Sequence, residues 1–148
     1  MAKSKYYQGI FKPKNKDKYA GDSSNIIYRS SWELRMLNYL DCHPDVIYYA
    51  SEEFSIPYIS PVDGRVHRYF PDFLVKKKAK DGMTETLVVE IKPHCQTKPP
   101  KQIDSKRLLN EAKQYAINQA KWKAAEQFCA DRKWKFVVIT ENELGLAK

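Results

Sequence analysis

The stretch Tyr69-Phe70-Pro71-Asp72-Phe73-Leu74-Val75, followed eighteen residues after Asp72 by Glu90-Ile91-Lys92, decides how this chain is read. An apolar run, Leu87-Val88-Val89, leads into the second segment. Alternate residues of a strand share a face, so Glu90 and Lys92 point one way while Ile91 points into a core. If Phe73-Leu74-Val75 pairs beside Leu87 to Ile91, Asp72 lies next to Glu90. Two carboxylates and a backbone carbonyl suit a hard cation such as Mg²⁺, which takes oxygen ligands and keeps several waters. A lysine beside them orients an attacking water or offsets charge on a phosphate. That outlines a hydrolytic phosphodiester site. The same spacing also arises by chance in a lysine-rich chain, so it has to be weighed against the rest of the sequence.

With 148 residues, the chain is expected to form one domain with a single core. Its 26 Lys and Arg against 18 Asp and Glu leave a formal charge of +8. Such an excess favours a polyanion, nucleic acid before membrane, because no terminal amphipathic basic helix carries a bulky apolar face. Nineteen aromatics, ten of them Tyr, are more than a disordered basic tail would carry. Cys42, Cys95 and Cys129 are odd in number and widely spaced, which supports neither a disulfide framework nor a zinc finger. Reduced thiols in a cytosolic compartment are expected. Neither a leader at Met1-Ala2-Lys3-Ser4-Lys5 nor a membrane span is expected.

Residues 1–22, with six lysines against Asp17 and Asp22, read as a basic arm or irregular lead-in that packs in part through Tyr6, Tyr7, Phe11 and Tyr19. Residues 23–148 are expected to hold the domain. A helix follows Ser30 or Ser31, either of which is a suitable N-cap. Its apolar stripe is Trp32, Met36, Leu37 and Leu40, and His43-Pro44 ends it. Val46 to Ile59 and Arg65 to Val75 form a hairpin about the turn Pro61-Val62-Asp63-Gly64. Lys76 to Gly82 is a lysine-rich turn, and Thr86 to Ile91 is the central strand. Asp104 to Ala130 reads as a long helix, with Leu108, Ala112, Tyr115, Ala116, Ala120, Ala124 and Phe128 on one side. Trp134 to Thr140 is a final buried strand. The order αβββαβ describes a mixed α/β fold whose central mixed sheet is flanked by helices, and the last helix allows a parallel crossover.

This order, with Pro71-Asp72 and Glu90-Ile91-Lys92, resembles the PD-(D/E)XK nuclease superfamily and its restriction-endonuclease-like core. Further segments carry the resemblance: Tyr28-Arg29-Ser30-Ser31-Trp32-Glu33, His43-Pro44-Asp45-Val46, Pro57-Tyr58, Gly64 to Phe73 and Glu90-Ile91-Lys92-Pro93. These are similar to TnsA-like endonucleases, among them the head-completion nucleases of tailed phages. The resemblance implies a DNA endonuclease dependent on Mg²⁺ or Mn²⁺, acting on packaged DNA before tail joining. It places the metal on Asp72, Glu90 and Glu33, with Lys92 as the fourth catalytic residue. A portal or other head or neck protein becomes a candidate partner. The host cytoplasm, or the virion, becomes the expected location.

Other residues have two readings each. Glu33 is a first-turn cap or a third carboxylate at the metal. Arg29 and Ser30 hold a phosphate at the helix N-terminus or serve as a cap without ligand. His67 and Arg68 touch phosphate or lie on an exposed strand. His94 and Gln96 adjoin the site in sequence. Lys76, Lys77, Lys78 and Lys98 track a DNA backbone without reading sequence, or form a solvated face. A non-cutting head or neck protein that keeps the nuclease fold is the main alternative, but Asp72, Glu90 and Lys92 are all present. A junction-resolving or transposon-end nuclease is a further one.

Overall fold

The computed structural model describes residues 8–99 and 106–142. The elements run β1 (Gly9–Phe11), β2 (Ile26–Tyr28), α1 (Ser31–Cys42), β3 (Val46–Ser51), β4 (Ile56–Ile59), β5 (Val66–Tyr69), β6 (Phe73–Lys78), β7 (Thr84–Ile91), α2 (Lys106–Arg132) and β8 (Lys135–Ile139). Four of the strands make one mixed sheet in the order β3-β6-β7-β8. The first three are antiparallel neighbours, and β8 joins β7 in parallel across the α2 crossover. α1, β3, β6, β7, α2 and β8 thus form the expected αβββαβ core, and β7 is an inner strand.

Alternation along β6 and β7 divides the core between two faces. Phe73, Val75, Val89 and Ile91 face α1 and pack with Met36, Leu37 and Leu40. On the other side α2 lays Trp122 and Ala125 against Ile56, Tyr58 and Tyr69, with Phe136 and Val138 of β8 beside them. α1 forms as the apolar spacing requires. Its N-cap, Ser30, accepts the Glu33 N–H at 3.1 Å, and the helix stops at His43, ahead of Pro44.

The hairpin expected from Val46 to Val75 is interrupted twice. Glu52 adopts φ 53°, which turns the chain out of the main sheet after β3, and Phe70-Pro71-Asp72 breaks the return strand. Pro71 has no N–H to give a ladder, so it does not fit within an inner strand such as β6, whereas Pro57 is tolerated in the two-stranded ribbon. Among the described residues β4 and β5 therefore pair with each other alone, as a separate ribbon packed on α2. Lys76, Lys77 and Lys78, read as part of a turn, are the end of β6, and the turn itself lies at Ala79–Met83, with Gly82 at φ 82°.

The lead-in expected over residues 1–22 belongs to the packed domain from Gly9 onward; residues 1–7 lie outside the described residues. β1 pairs with β2, and Phe11 and Tyr19 are buried in the α1-side core. Asp41, itself buried, holds this segment in place. Its carboxylate accepts the Lys14 N–H at 3.0 Å and the Tyr49 hydroxyl at 3.0 Å. Asn15 reaches its backbone carbonyl at 2.8 Å. Lys12, Lys14 and Lys16 point outward, while the anchoring is done by two aromatics, by backbone N–H groups and by the side chains of Asn15 and Lys18. The Lys18 ammonium donates to the Asp41 and His43 carbonyls at 3.1 and 2.8 Å.

α2 runs to Arg132, two residues past the expected end; the expected caps Asp104 and Ser105 lie outside the described residues. Its C-terminus closes with Trp134 N–H on the Cys129 carbonyl at 2.8 Å and Lys133 N–H on that of Ala130 at 3.2 Å. Lys133 supplies the left-handed residue of this closure at φ 60°, where glycine is the usual choice.

Candidate active site

The register of the sheet brings the two acids together. Phe73 pairs with Val89 on antiparallel strands, so the next position outward sets Asp72 opposite Glu90. Directly opposed residues project to the same side. Here that is the side of α2, because Phe73 and Val89 face α1. Lys92, two residues beyond Glu90, follows it onto that side. Its Nζ lies 3.5 Å from Glu90 Oε2, and its backbone N–H extends the β7–β8 pairing to the Ile139 carbonyl at 3.0 Å.

Each carboxylate is held on one oxygen. Asp72 Oδ2 accepts the Ile91 N–H at 2.8 Å, and Glu90 Oε1 accepts the Tyr69 hydroxyl at 2.6 Å. Tyr69 and Glu90 are both buried. Burial, and then the charge of Glu90, hold the Asp72 carboxyl well above the ordinary carboxylate range. Burial raises Glu90 too, against the opposing pull of the Tyr69 hydrogen bond and the Lys92 ammonium. Burial and the neighbouring Glu90 keep the Tyr69 hydroxyl protonated and able to donate. A pair of acids pressed together out of water under a single ion-paired lysine is electrostatically uncomfortable. A cation relieves it.

Glu33 arrives from the other layer. Its Oε2 accepts the Arg29 N–H at 3.2 Å, so it serves as a first-turn cap. Burial raises its carboxyl as well, and the charges of Glu52 and Glu90 push the same way. It therefore sits at the margin of the cluster while also closing the helix. Arg29 is committed to an ion pair with Glu52, and Ser30 to its cap. Among the described residues no group of three or more His, Cys, Asp or Glu side chains is arranged to hold a metal ion. An ion here would rest on Asp72 and Glu90, with its remaining positions filled by water and phosphate oxygens, which is how Mg²⁺ is ordinarily held.

The other sequence candidates are dispersed. His67 is exposed on the β4–β5 ribbon with Nε2 2.8 Å from Asp63 Oδ2, and Arg68 is exposed beside it. Lys76 lies over the Tyr48 ring and Lys77 is 3.9 Å from Glu85. Both, with Lys78, occupy the second half of β6, roughly 13–20 Å from Asp72 at about 3.3 Å per strand residue. His94 donates its backbone N–H to Glu141 at 2.7 Å. Gln96 and Lys98 border a cavity of about 330 Å³ against α2, which Gln114, Tyr115 and Asn118 also line.

Two residues of this neighbourhood were not singled out as site residues. Tyr69 lies beside Pro71-Asp72 in sequence, but its aromatic neighbour Phe70 is exposed, so nothing in the sequence marked which of the two turns inward. Lys121 had no signal either, because it is one of several lysines on α2. Its ammonium lies 5.7 Å from the centre of the Tyr69 ring and 5.9 Å from that of Tyr58.

A mixed sheet that presents two acids and a lysine at one end, with a helix on each face, defines a nuclease-type core. The chain belongs to the TnsA-like endonuclease family, whose N-terminal domain model matches residues 43–141. It is similar to the head completion nuclease of Enterobacteria phage T4, with 38% identity over 144 residues that cover 93% of each chain.

Proposed function

We propose that the protein is a metal-dependent endodeoxyribonuclease that works in the completion of a phage head, in the cytoplasm of the host, on DNA that has been packaged. The observation that carries the chemistry is the opposition of Asp72 and Glu90 across the β6–β7 register, with Lys92 on the same side. Family membership supports the reaction class, and the similarity to the phage T4 protein supports the setting.

In this reading Asp72 and Glu90 hold Mg²⁺ or Mn²⁺, with Glu33 positioned to reach it through water. When bound, the ion lowers the pKa of a water and polarises the scissile phosphate. The protein does the rest. The Ile91 N–H and the Tyr69 hydroxyl fix one oxygen of each carboxylate, which orients the other oxygen of Asp72 and, beside Lys92, that of Glu90. Lys92 orients the attacking water and offsets charge gathering on the phosphate. The buried position of Glu90 keeps bulk water from screening these charges.

The test is cleavage of supercoiled plasmid with Mg²⁺ or Mn²⁺. Asp72→Ala and Lys92→Ala are each expected to lower the rate by at least about 10²–10³-fold, with unchanged folding by circular dichroism. Cutting that survives both substitutions removes the site from consideration. A folded wild-type protein that cuts no DNA form with either metal supports a head or neck protein that has the fold and does not use it.

A further inference from the structure

We propose that Lys121 is the second cation of this site and contacts the phosphate at which DNA is cut; this rests on the hydrolytic reading of Asp72, Glu90 and Lys92. Lys121 comes from α2, the helix that covers the face onto which all three of those side chains project. Its position follows from its neighbours. Trp122, one residue on, is buried against Tyr58 and Tyr69, and the Lys121 ammonium lies over the same two rings. The Tyr69 ring is tied in turn to Glu90 through its hydroxyl. The ammonium is thereby delivered to the acidic end of the sheet by a packed helix.

Its electrostatic setting is unusual for a structural lysine. It is half-buried, and among the described residues no carboxylate lies within ion-pair distance of it. Lys92, which has Glu90 at 3.5 Å, is a like-charged neighbour that opposes it, while Glu90 and Asp72 attract it from farther off. A surface lysine at such a point would turn to water, where an ammonium is best solvated. This one is kept over two aromatic faces, which favour a cation at about 6 Å. With a divalent ion on the two acids, two ammonium groups would stand beside a cation and call for an anionic ligand. A phosphodiester supplies that charge. Lys92 then serves the water and Lys121 the phosphate oxygens, where charge grows in the transition state.

Lys121→Met keeps an unbranched side chain of similar length and removes the charge, whereas Lys121→Arg keeps a cation. On a duplex substrate with Mg²⁺, Lys121→Met is expected to lose about 10²-fold in kcat with KM and melting temperature little changed. Lys121→Arg is expected to recover most of that loss. Independently of cutting, acetylation of lysine amines followed by mass spectrometry is expected to show Lys121 protected by saturating duplex DNA. If Lys121→Met cuts at the wild-type rate while Lys92→Ala is inactive, Lys121 is a packing residue and the inference is wrong. Absence of protection overturns it whether or not the protein cuts. Protection in a protein that cuts nothing leaves Lys121 as a phosphate contact and removes the hydrolytic reading instead.

Discussion

Asp72 carries a conflict between stability and use. Its carboxyl is raised above its unfolded value by burial and by Glu90, so the folded protein retains a proton that the unfolded chain gives up. The stability linked to this group is therefore complete below the ordinary carboxylate range and declines as pH rises through the elevated folded-state value. Asp72→Asn keeps an acceptor for the Ile91 N–H and removes the charge. In metal-free buffer at pH 7–8 it is expected to raise stability by roughly 1 kcal/mol or more, measured by chemical denaturation, and the gain should shrink as pH falls toward 4. Added Mg²⁺ should reverse the ranking by stabilising only the wild type. A substitution that is destabilising at every pH and metal level contradicts this account of the pair. That Asp72 and Glu90 meet was readable from strand alternation and eighteen residues of spacing. The place of Lys121 was not: it resembles Lys113 and Lys123 in sequence, and only the depth at which α2 packs separates them.

At the scale of elements, the main sheet was legible because its signals are local. Val88, Val89 and Ile91 mark an inner strand, and Ser30 with Glu33 marks a helix start. The splitting of the long hairpin was only half legible. Pro71 carried a signal of one break that reading Arg65 to Val75 as a single strand passed over, whereas Glu52 at φ 53° has no residue signature, since nothing about a glutamate predicts a left-handed backbone. Lys133 is the same case at the end of α2. There the structure offers a direct check: Lys133→Gly removes the left-handed penalty and is expected to stabilise the protein by about 0.5–1 kcal/mol, read as a shift of the urea midpoint with unchanged slope. An unchanged or lower midpoint would show that the lysine side chain makes up the difference.

Over the whole molecule, the sequence placed basic residues in abundance but not in space. Lys76, Lys77 and Lys78 stand toward the opposite end of β6 from Asp72, so any contact they make with DNA falls on the backbone away from the two acids. Replacing all three with Gln should leave kcat on a short duplex within a factor of about two, while the plot of log affinity against log salt flattens by no more than about 0.9 per lysine removed. A collapse of kcat would mean that the strand is not the spacer it looks like. The early residues were legible in part for a related reason: Phe11 and Tyr19 signalled packing among the lysines, whereas the hydrogen bonds to Asp41 have no sequence signature. Asp41→Ala leaves several of those donors without partners and is expected to cost about 2–4 kcal/mol, visible in a denaturant titration. A change below about 0.5 kcal/mol would show that the segment is held by its apolar contacts alone.

Tyr19 forms a single parallel bridge to Tyr49, and the Ala20 N–H meets the Tyr49 carbonyl at 2.8 Å. These contacts fall on the outer side of β3, whose ladder partner among the described residues is β6. The opening residues therefore act as a guard rail along a strand that would otherwise offer its backbone to any passing chain. Trimming them in search of a smaller, better-behaved fragment would bare that strand and yield a stickier protein, prone to clump during expression.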